Sequence, residues 1–347
     1  MLTERQKNIM IAIVEAYTES SVPEPIGSST LTKLQGLNFS SATLRNEMAA
    51  LEEMGYLEKT HTSSGRIPSE KGYRLYIDEL MNIEPMMPEL DEQVNNFLCN
   101  VKGSKSEAVY ELIKNIISSK EFNYSAVTLE KTAYNCLIKK VDFVHLHNHR
   151  GLFILVTDNG LVFSKEALIP ENIHIKNVVQ TMEFLNSNFH NMLLNDFKNA
   201  KRFEIVSNGF FDYMSGSEAV IELCLRNMKE LVKDKKSLIG QYNILNHPEF
   251  ENIQTAQAYL DCLKTNDIYK IVEFDNGPIP VIGLQENVGI SIKIGHENAL
   301  PIMQNCSTIT AYYESKNGTG AITIYGPLRM KYRYVIALLS AIVRSIQ

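Results

Sequence analysis

Residues 40–73 read SSATLRNEMAALEEMGYLEKTHTSSGRIPSEKGY, and that order of signals leaves little choice of local fold. The hydroxyl of Ser40 or Ser41 can accept a hydrogen bond from an orphan amide of a first helical turn, so a helix starts here. Leu44, Met48 and Leu51 then recur at i, i+4 and i+7, which puts them on one narrow apolar stripe. Ser41, Thr43, Arg45 and Asn46 are left facing outward, all near the N-terminal end. Gly55, Tyr56 and Leu57 stop the helix. The alternation over 57–68 predicts a two-stranded hairpin with Ser63, Ser64 and Gly65 at its tip, where a glycine permits positive φ.

Two more helices precede this block. Over residues 3–20, Ile9, Ile13, Ala16 and Tyr17 share a face; Pro23 and Pro25 end that pattern, and Ser28 opens a short helix reaching Leu34. Three helices followed by a hairpin are the outline of a winged helix-turn-helix. In that arrangement the start of the recognition helix meets base edges in the major groove, and Arg and Asn have the donor geometry for bidentate contacts to guanine and adenine. Ser41, Thr43, Arg45 and Asn46 are therefore the candidate readers. Arg66 is a candidate for a phosphate or minor-groove contact, with His61, Ser63 and Ser64 supplying hydrogen bonds that position the backbone. Charge argues the other way: residues 1–80 carry eight Lys and Arg against eleven Asp and Glu, a net −3, where phosphate binding usually leaves a basic footprint. The conflict eases if Glu47, Glu52, Glu53 and Glu58 face away from DNA, leaving Arg45, Lys59, Arg66, Lys71 and Arg74 as the local basic set. On spacing alone, a helical domain used only for protein contacts stays open.

Further along, residues 69–81 read as another helix, and 82–88, with Pro85 and Pro88, as a linker. Residues 89–119 are helical in pattern. Strand patterns occupy 125–129, 135–147, 151–157 and 161–167, with Asp158, Asn159 and Gly160 as a hairpin turn. Helical patterns return around 173–194, 217–233 and 251–263. Strands resume over 288–294, 307–313 and 320–325, with Asn317 and Gly318 a further turn, and 328–346 closes as an amphipathic helix. The simplest architecture is a mixed α+β domain split by a helical insertion.

With 347 residues, 44% of them hydrophobic, two or three ordinary cores are expected. No run of about 18 apolar residues occurs, and the start, MLTERQKN, is polar, so neither a membrane span nor a secretory signal is expected and the location should be cytoplasmic. Cys99, Cys136, Cys224, Cys262 and Cys306 lie far apart without a C-x-x-C, which argues against a disulfide framework or a structural zinc site. A net charge of −6 limits nonspecific affinity for nucleic acid, so specific contacts would have to carry more of the binding.

The block closely resembles the heat-inducible transcription repressor family (HrcA). The likeness is carried by Pro25-Ile26-Gly27-Ser28, by Ser40-Ser41-Ala42-Thr43-Leu44-Arg45-Asn46-Glu47-Met48 and by Leu51-Glu52-Glu53-Met54-Gly55-Tyr56-Leu57. His61-Thr62-Ser63-Ser64-Gly65-Arg66-Ile67-Pro68 and Lys71-Gly72-Tyr73-Arg74 extend it. Later stretches are similar too: Asn243-Ile244-Leu245-Asn246-His247-Pro248-Glu249-Phe250, Ile294-Gly295-His296-Glu297-Asn298 and Gly326-Pro327-Leu328-Arg329-Met330-Lys331-Tyr332. Leu328 and Ile26 depart conservatively from the family's usual residues. The resemblance implies a winged helix-turn-helix (1–81), the linker (82–88), a GAF-like mixed α+β domain in two parts (89–169 and 267–347) and an inserted dimerising domain (170–266). It also implies a repressor that binds double-stranded DNA at an inverted-repeat operator ahead of chaperone genes. Such a repressor acts as a homodimer and is kept competent by the chaperonin.

Rival readings are thinner. His145-x-His147-x-His149 would put three imidazoles on one face of a strand, a spacing able to chelate zinc, but no fourth ligand or supporting acid is evident. Gly318-x-Gly320 lies in a hairpin with no following helix, so it is not a phosphate loop. Nucleophile-elbow, P-loop and H-E-x-x-H patterns are absent; neither an enzyme nor a cofactor is expected. Two alternatives stay in view. One is a regulator whose GAF-like domain senses a small molecule; the other is an assembly module whose winged helix contacts protein.

Overall fold

The computed structural model of the chain describes residues 2–20, 23–33, 38–59, 65–100, 105–119, 122–132, 136–199, 218–272, 289–315 and 318–346. Helix α1 (Glu4–Glu19) starts at a capping box: Thr3 Oγ1 accepts from the Gln6 amide at 3.3 Å while the Gln6 side chain accepts from the Thr3 amide at 3.0 Å. Helix α2 (Ser28–Leu31) is shorter than its pattern predicts, with Leu34 outside the described residues. It opens at Ser28 as the pattern predicts, with Gly27 as its N-cap. Helix α3 (Ser41–Glu53), strands β1 (Leu57–Lys59) and β2 (Arg66–Pro68), and helix α4 (Glu70–Leu75) complete the winged-helix order. A π-helical turn, Tyr76–Leu80, continues α4. Ile9, Ile13, Leu31, Leu44, Leu51 and Leu57 bury together because the 3.6-residue stripes of the three helices face one another.

Residues 82–88 are not a free tether. Ile83 is fully buried, and helix α5 (Met87–Asn100) is already under way at Pro88. Proline in a first helical turn loses no hydrogen bond, so these prolines mark a change of direction rather than slack. Helix α6 (Lys105–Ile117) follows.

The chain then lays down two sheets, built from β3 (Ser125–Thr132), β4 (Ile138–His145), β5 (Arg150–Thr157), β6 (Val162–Leu168), β7 (Lys235–Ile239), β8 (Gly289–Ile294), β9 (Cys306–Ser315) and β10 (Gly318–Pro327). Between them lie helices α7 (Ile175–Phe189), α8 (Leu194–Asn199), α9 (Glu218–Leu231) and α10 (Ile253–Lys264), and α11 (Tyr332–Ile346) ends the described chain. Two compact units result: residues 1–129 with 236–314 and 320–347, and residues 130–235 with 315–319.

In the first unit the strand order is β7-β3-β10-β9-β8. Side chains alternate across a strand, so β10 serves two cores. Ile322 and Ile324 belong with Val335, Leu339 and Ile342 of α11. Ala321 and Tyr325 belong with Phe250 and Tyr259, and the Tyr259 and Tyr325 hydroxyls meet at 2.8 Å. The cluster that holds α11 also contains the winged-helix core, so the winged-helix head and this sheet are one packed body.

In the second unit β4, β5 and β6 form an antiparallel sheet, with Phe143 opposite Phe153 and Leu155 opposite Phe163. Its buried face packs with α7 and α9 through Val178, Met182, Leu185, Ile221 and Met228. The other face is open and apolar: Val162 and Leu168 are 64% and 68% exposed, and Val144 and Leu146 also lie uncovered.

This arrangement corrects the expected boundaries. The strand patterns over 135–167 do not continue the sheet begun at β3 but form their own. Residues 236–266, read as insertion, belong to the first unit. The insertion is thus a mixed sheet and helix unit, not a helical one. Strand periodicity reports burial on one side and carries no information about which strand is the partner.

Candidate nucleic-acid interface

Ser40 caps α3, its Oγ accepting from the Thr43 amide at 3.1 Å and lying 2.9 Å from the Thr43 hydroxyl. Such a cap contributes about 1 kcal/mol. Leu44, Met48 and Leu51 are buried as the spacing requires, which fixes the helix's rotation and turns Arg45 and Asn46 into solvent. Neither makes a hydrogen bond or ion pair among the described residues. Ser41 Oγ pairs with Ser28 Oγ at 2.9 Å, tying the starts of α2 and α3 together. No sequence signal marks that pair, because the two serines meet only through the helix-turn-helix bend.

Several of the acidic groups that weigh against DNA binding are engaged by cations or amides of the same unit. Glu47 receives Arg5 at 3.2 Å and Gln6 at 3.1 Å, both from α1. Glu52 receives Arg66 at 2.6 Å. Glu15 pairs with Arg333 at 3.0 Å, and Glu70 with His296 at 2.8 Å. Glu53 and Glu58 remain exposed. The net charge of the head therefore misstates the field at the start of α3, where Arg45 is exposed and unneutralised among the described residues.

At its other end α3 closes with a Schellman turn. The Tyr56 amide donates to Leu51 O and the Gly55 amide to Glu52 O, both at 2.9 Å, with Gly55 at φ +78°. Lys71 Nζ caps the same end, donating to Met54 O at 2.7 Å and lying 4.4 Å from the Tyr56 ring centroid. Lys71 is thus spent on the helix terminus rather than left for DNA.

The wing base differs from expectation in two respects. Gly65 does not have positive φ; it is needed because a Cβ there would lie 2.8 Å from both Pro25 Cβ and Pro25 O. That close approach lets Ile26 and Arg66 exchange two backbone hydrogen bonds of 2.9 Å, adding a third strand-like segment to the wing. Arg66, expected to reach outward, turns back onto Glu52, and its side chain is only 14% exposed. Lys59, directly opposite Arg66 in the β1–β2 register, is exposed and unpaired among the described residues. His61, Ser63 and Ser64 lie outside the described residues.

The head is held on the sheet by charged as well as apolar contacts. Arg74 bonds Glu297 and the Ile292 carbonyl, the latter at 2.9 Å. Burial disfavours its charge, but the pairing with Glu297 and Asp78 prevails and holds its pKa above the ordinary value. Tyr73 packs on Tyr332 with ring centroids 5.6 Å apart, and burial pushes its hydroxyl's pKa far up. Arg74, like Lys71, leaves the candidate basic surface.

The histidine triplet does not sit on one strand face. β4 ends at His145, and Asn148 and His149 take φ of 46° and 55° in the turn to β5. Among the described residues no three His, Cys, Asp or Glu converge as metal ligands, and no helix is long and apolar enough to cross a membrane.

Comparison with known proteins bears on the family of the chain. The family model described as the HrcA protein C terminal domain matches residues 112–336. A heat-inducible transcription repressor HrcA of Bacillus pumilus (strain SAFR-032) is 32% identical over 98% of this chain and 95% of its own length. A crystal structure of a hypothetical protein superposes over 100% of both chains, with 19% identity and a TM-score of 0.64, and so shares the fold. By the extent of both sequence matches, the chain belongs to the HrcA family of heat-inducible transcription repressors.

Proposed function

We propose that the chain is a sequence-specific repressor of heat-shock chaperone genes, which reads an inverted-repeat operator as a homodimer and depends on the chaperonin for its active form. The observation that carries the DNA-binding part is the start of α3: Arg45 and Asn46 stand exposed and, among the described residues, unpaired on a helix whose Glu47 and Glu52 are already paired with Arg5 and Arg66. A bidentate donor left unpaired at this place matches the demand of a guanine or adenine edge.

Dimerisation is supported by the open face of the β4-β5-β6 sheet. Leu152, Ile154 and Val156 run down its centre, flanked by Val144, Val162 and Leu168. The charges on that face are already matched, Lys140 with Asp142 at 2.8 Å and Arg150 with Glu166 at 3.0 Å. An apolar patch with internally neutralised charges suits a second copy of itself, since an isologous interface sets the same patch against itself. Two heads on one duplex then supply the effective concentration that a single head lacks. The chaperonin step rests on the family resemblance. Heat would divert the chaperonin to unfolded clients, and apparent operator affinity would fall in proportion to the competent fraction.

A small-molecule sensor is the second reading, favoured by a cavity of about 260 Å³ lined by Glu15, Tyr76, Lys331 and Arg333 among others. Arg333 is already bound by Glu15 and the Asn82 carbonyl, both at 3.0 Å, so that guanidinium is not held open for a ligand. The test is a titration of the full-length protein against a duplex selected by it from a randomised library, with and without chaperonin. Binding that Arg45→Ala weakens by about 1–3 kcal/mol on the selected duplex but not on a scrambled one supports the reading. Equal affinity for both duplexes by the wild type contradicts it.

A further inference from the structure

We infer that Arg66 is a positioning residue that sets the wing against the recognition helix through Glu52, and that Lys59 on the adjacent strand makes the wing's phosphate contact. The inference rests on the DNA-binding reading above and assigns the labour within that site. Arg66 Nε and Nη2 both lie 2.6 Å from the same Glu52 Oε2, and Nη1 donates to Gly65 O at 3.2 Å. The guanidinium thus has the Glu52 carboxylate and the Gly65 carbonyl among its partners. Swinging it to a phosphate would leave Glu52, itself only 32% exposed, as an uncompensated anion beside DNA.

The main chain of Arg66 adds a second tie. Its amide and carbonyl bond Ile26, two residues before α2, while its side chain holds the last turn of α3. One residue therefore joins the approach to α2, the wing and α3, which is what a fixed angle between wing and reading helix requires. The approach of Pro25 to Gly65 closes the same corner sterically.

Lys59 has the opposite character. It faces Arg66 across the β1–β2 ladder, is exposed, and has no partner among the described residues. Counterion release follows from neutralising phosphate with a cation that was not already neutralised. By that criterion Lys59 contributes to the salt dependence of binding and Arg66 does not.

The experiment measures the affinity of full-length variants for the selected duplex across a salt series. Lys59→Ala should lower the slope of log K against log salt by about 1. Arg66→Ala and Glu52→Ala should each weaken binding roughly tenfold with the slope unchanged. Arg66→Lys, which keeps a charge able to meet phosphate but loses the planar fork, should fall with them. The exchange Glu52→Arg with Arg66→Glu should recover part of the loss, and melting curves establish that each variant is folded. Glu52→Ala has the deciding sign: if Arg66 contacted phosphate, freeing it from a nearby acid would tighten binding. Tighter binding by Glu52→Ala, or a slope reduced by about one in Arg66→Ala, overturns the inference while leaving DNA binding intact. A wild type that does not prefer the selected duplex overturns the underlying reading instead.

Discussion

The start of α3 and the open face of the β4-β5-β6 sheet both leave side chains uncovered, and they do so with opposite chemistry. On α3 the uncovered residues are Arg45 and Asn46, polar and without partners among the described residues. On the sheet they are Val144, Leu146, Val162 and Leu168, apolar and exposed by 43–68%. Each surface is backed by a well-filled core, so neither is a by-product of poor packing. Polar groups left unpaired in water cost nothing and wait for a hydrogen-bonding partner; apolar groups left in water cost free energy that only burial recovers. The contrast is what the proposed function calls for, with nucleic acid meeting the first surface and another protein chain the second.

The largest effect should come from breaking the apolar surface. Ile154→Asp with Val162→Asp should halve the mass measured by light scattering and weaken binding to the selected duplex by roughly 100-fold or more, as the second head loses its tether. An unchanged mass would remove the sheet face from the interface. Next, Leu44→Ala removes the support beneath the polar row without touching it. Chemical denaturation should report about 2–5 kcal/mol lost in the unit that holds the head, with the dimer mass intact. The smallest expected change sharpens the geometry alone: Ser40→Ala should cost about 1 kcal/mol of stability, with the scrambled-duplex affinity unaltered.

Much of the first surface was legible in residues 40–57 because its determinants are local. A cap, an i, i+4, i+7 stripe and a terminating glycine lie within one helix, and each acts through neighbours a few residues away. The pairing of Arg66 is not legible there, because Glu52 is brought to it by the fold across 14 residues. At Gly65 the sequence marks a glycine but not its reason, which is the nearness of Pro25 rather than its own φ. The second surface was hidden for a related cause. Strands over 138–168 announced themselves by alternation, yet alternation cannot tell an outward face that stays wet from one that a sister chain covers. β7 carries little signal because Lys235, Lys236 and Ser237 leave only Leu238 and Ile239 to mark a short strand at the sheet's edge.

The central claim, that the start of α3 reads base edges, is tested most directly by probing guanine N7 on the selected duplex with a methylating reagent, bound by wild type and by Arg45→Ala. The account predicts a protected major-groove guanine in each half-site that becomes reactive in Arg45→Ala while the remaining protection persists. An identical pattern of protection in the two proteins would contradict it.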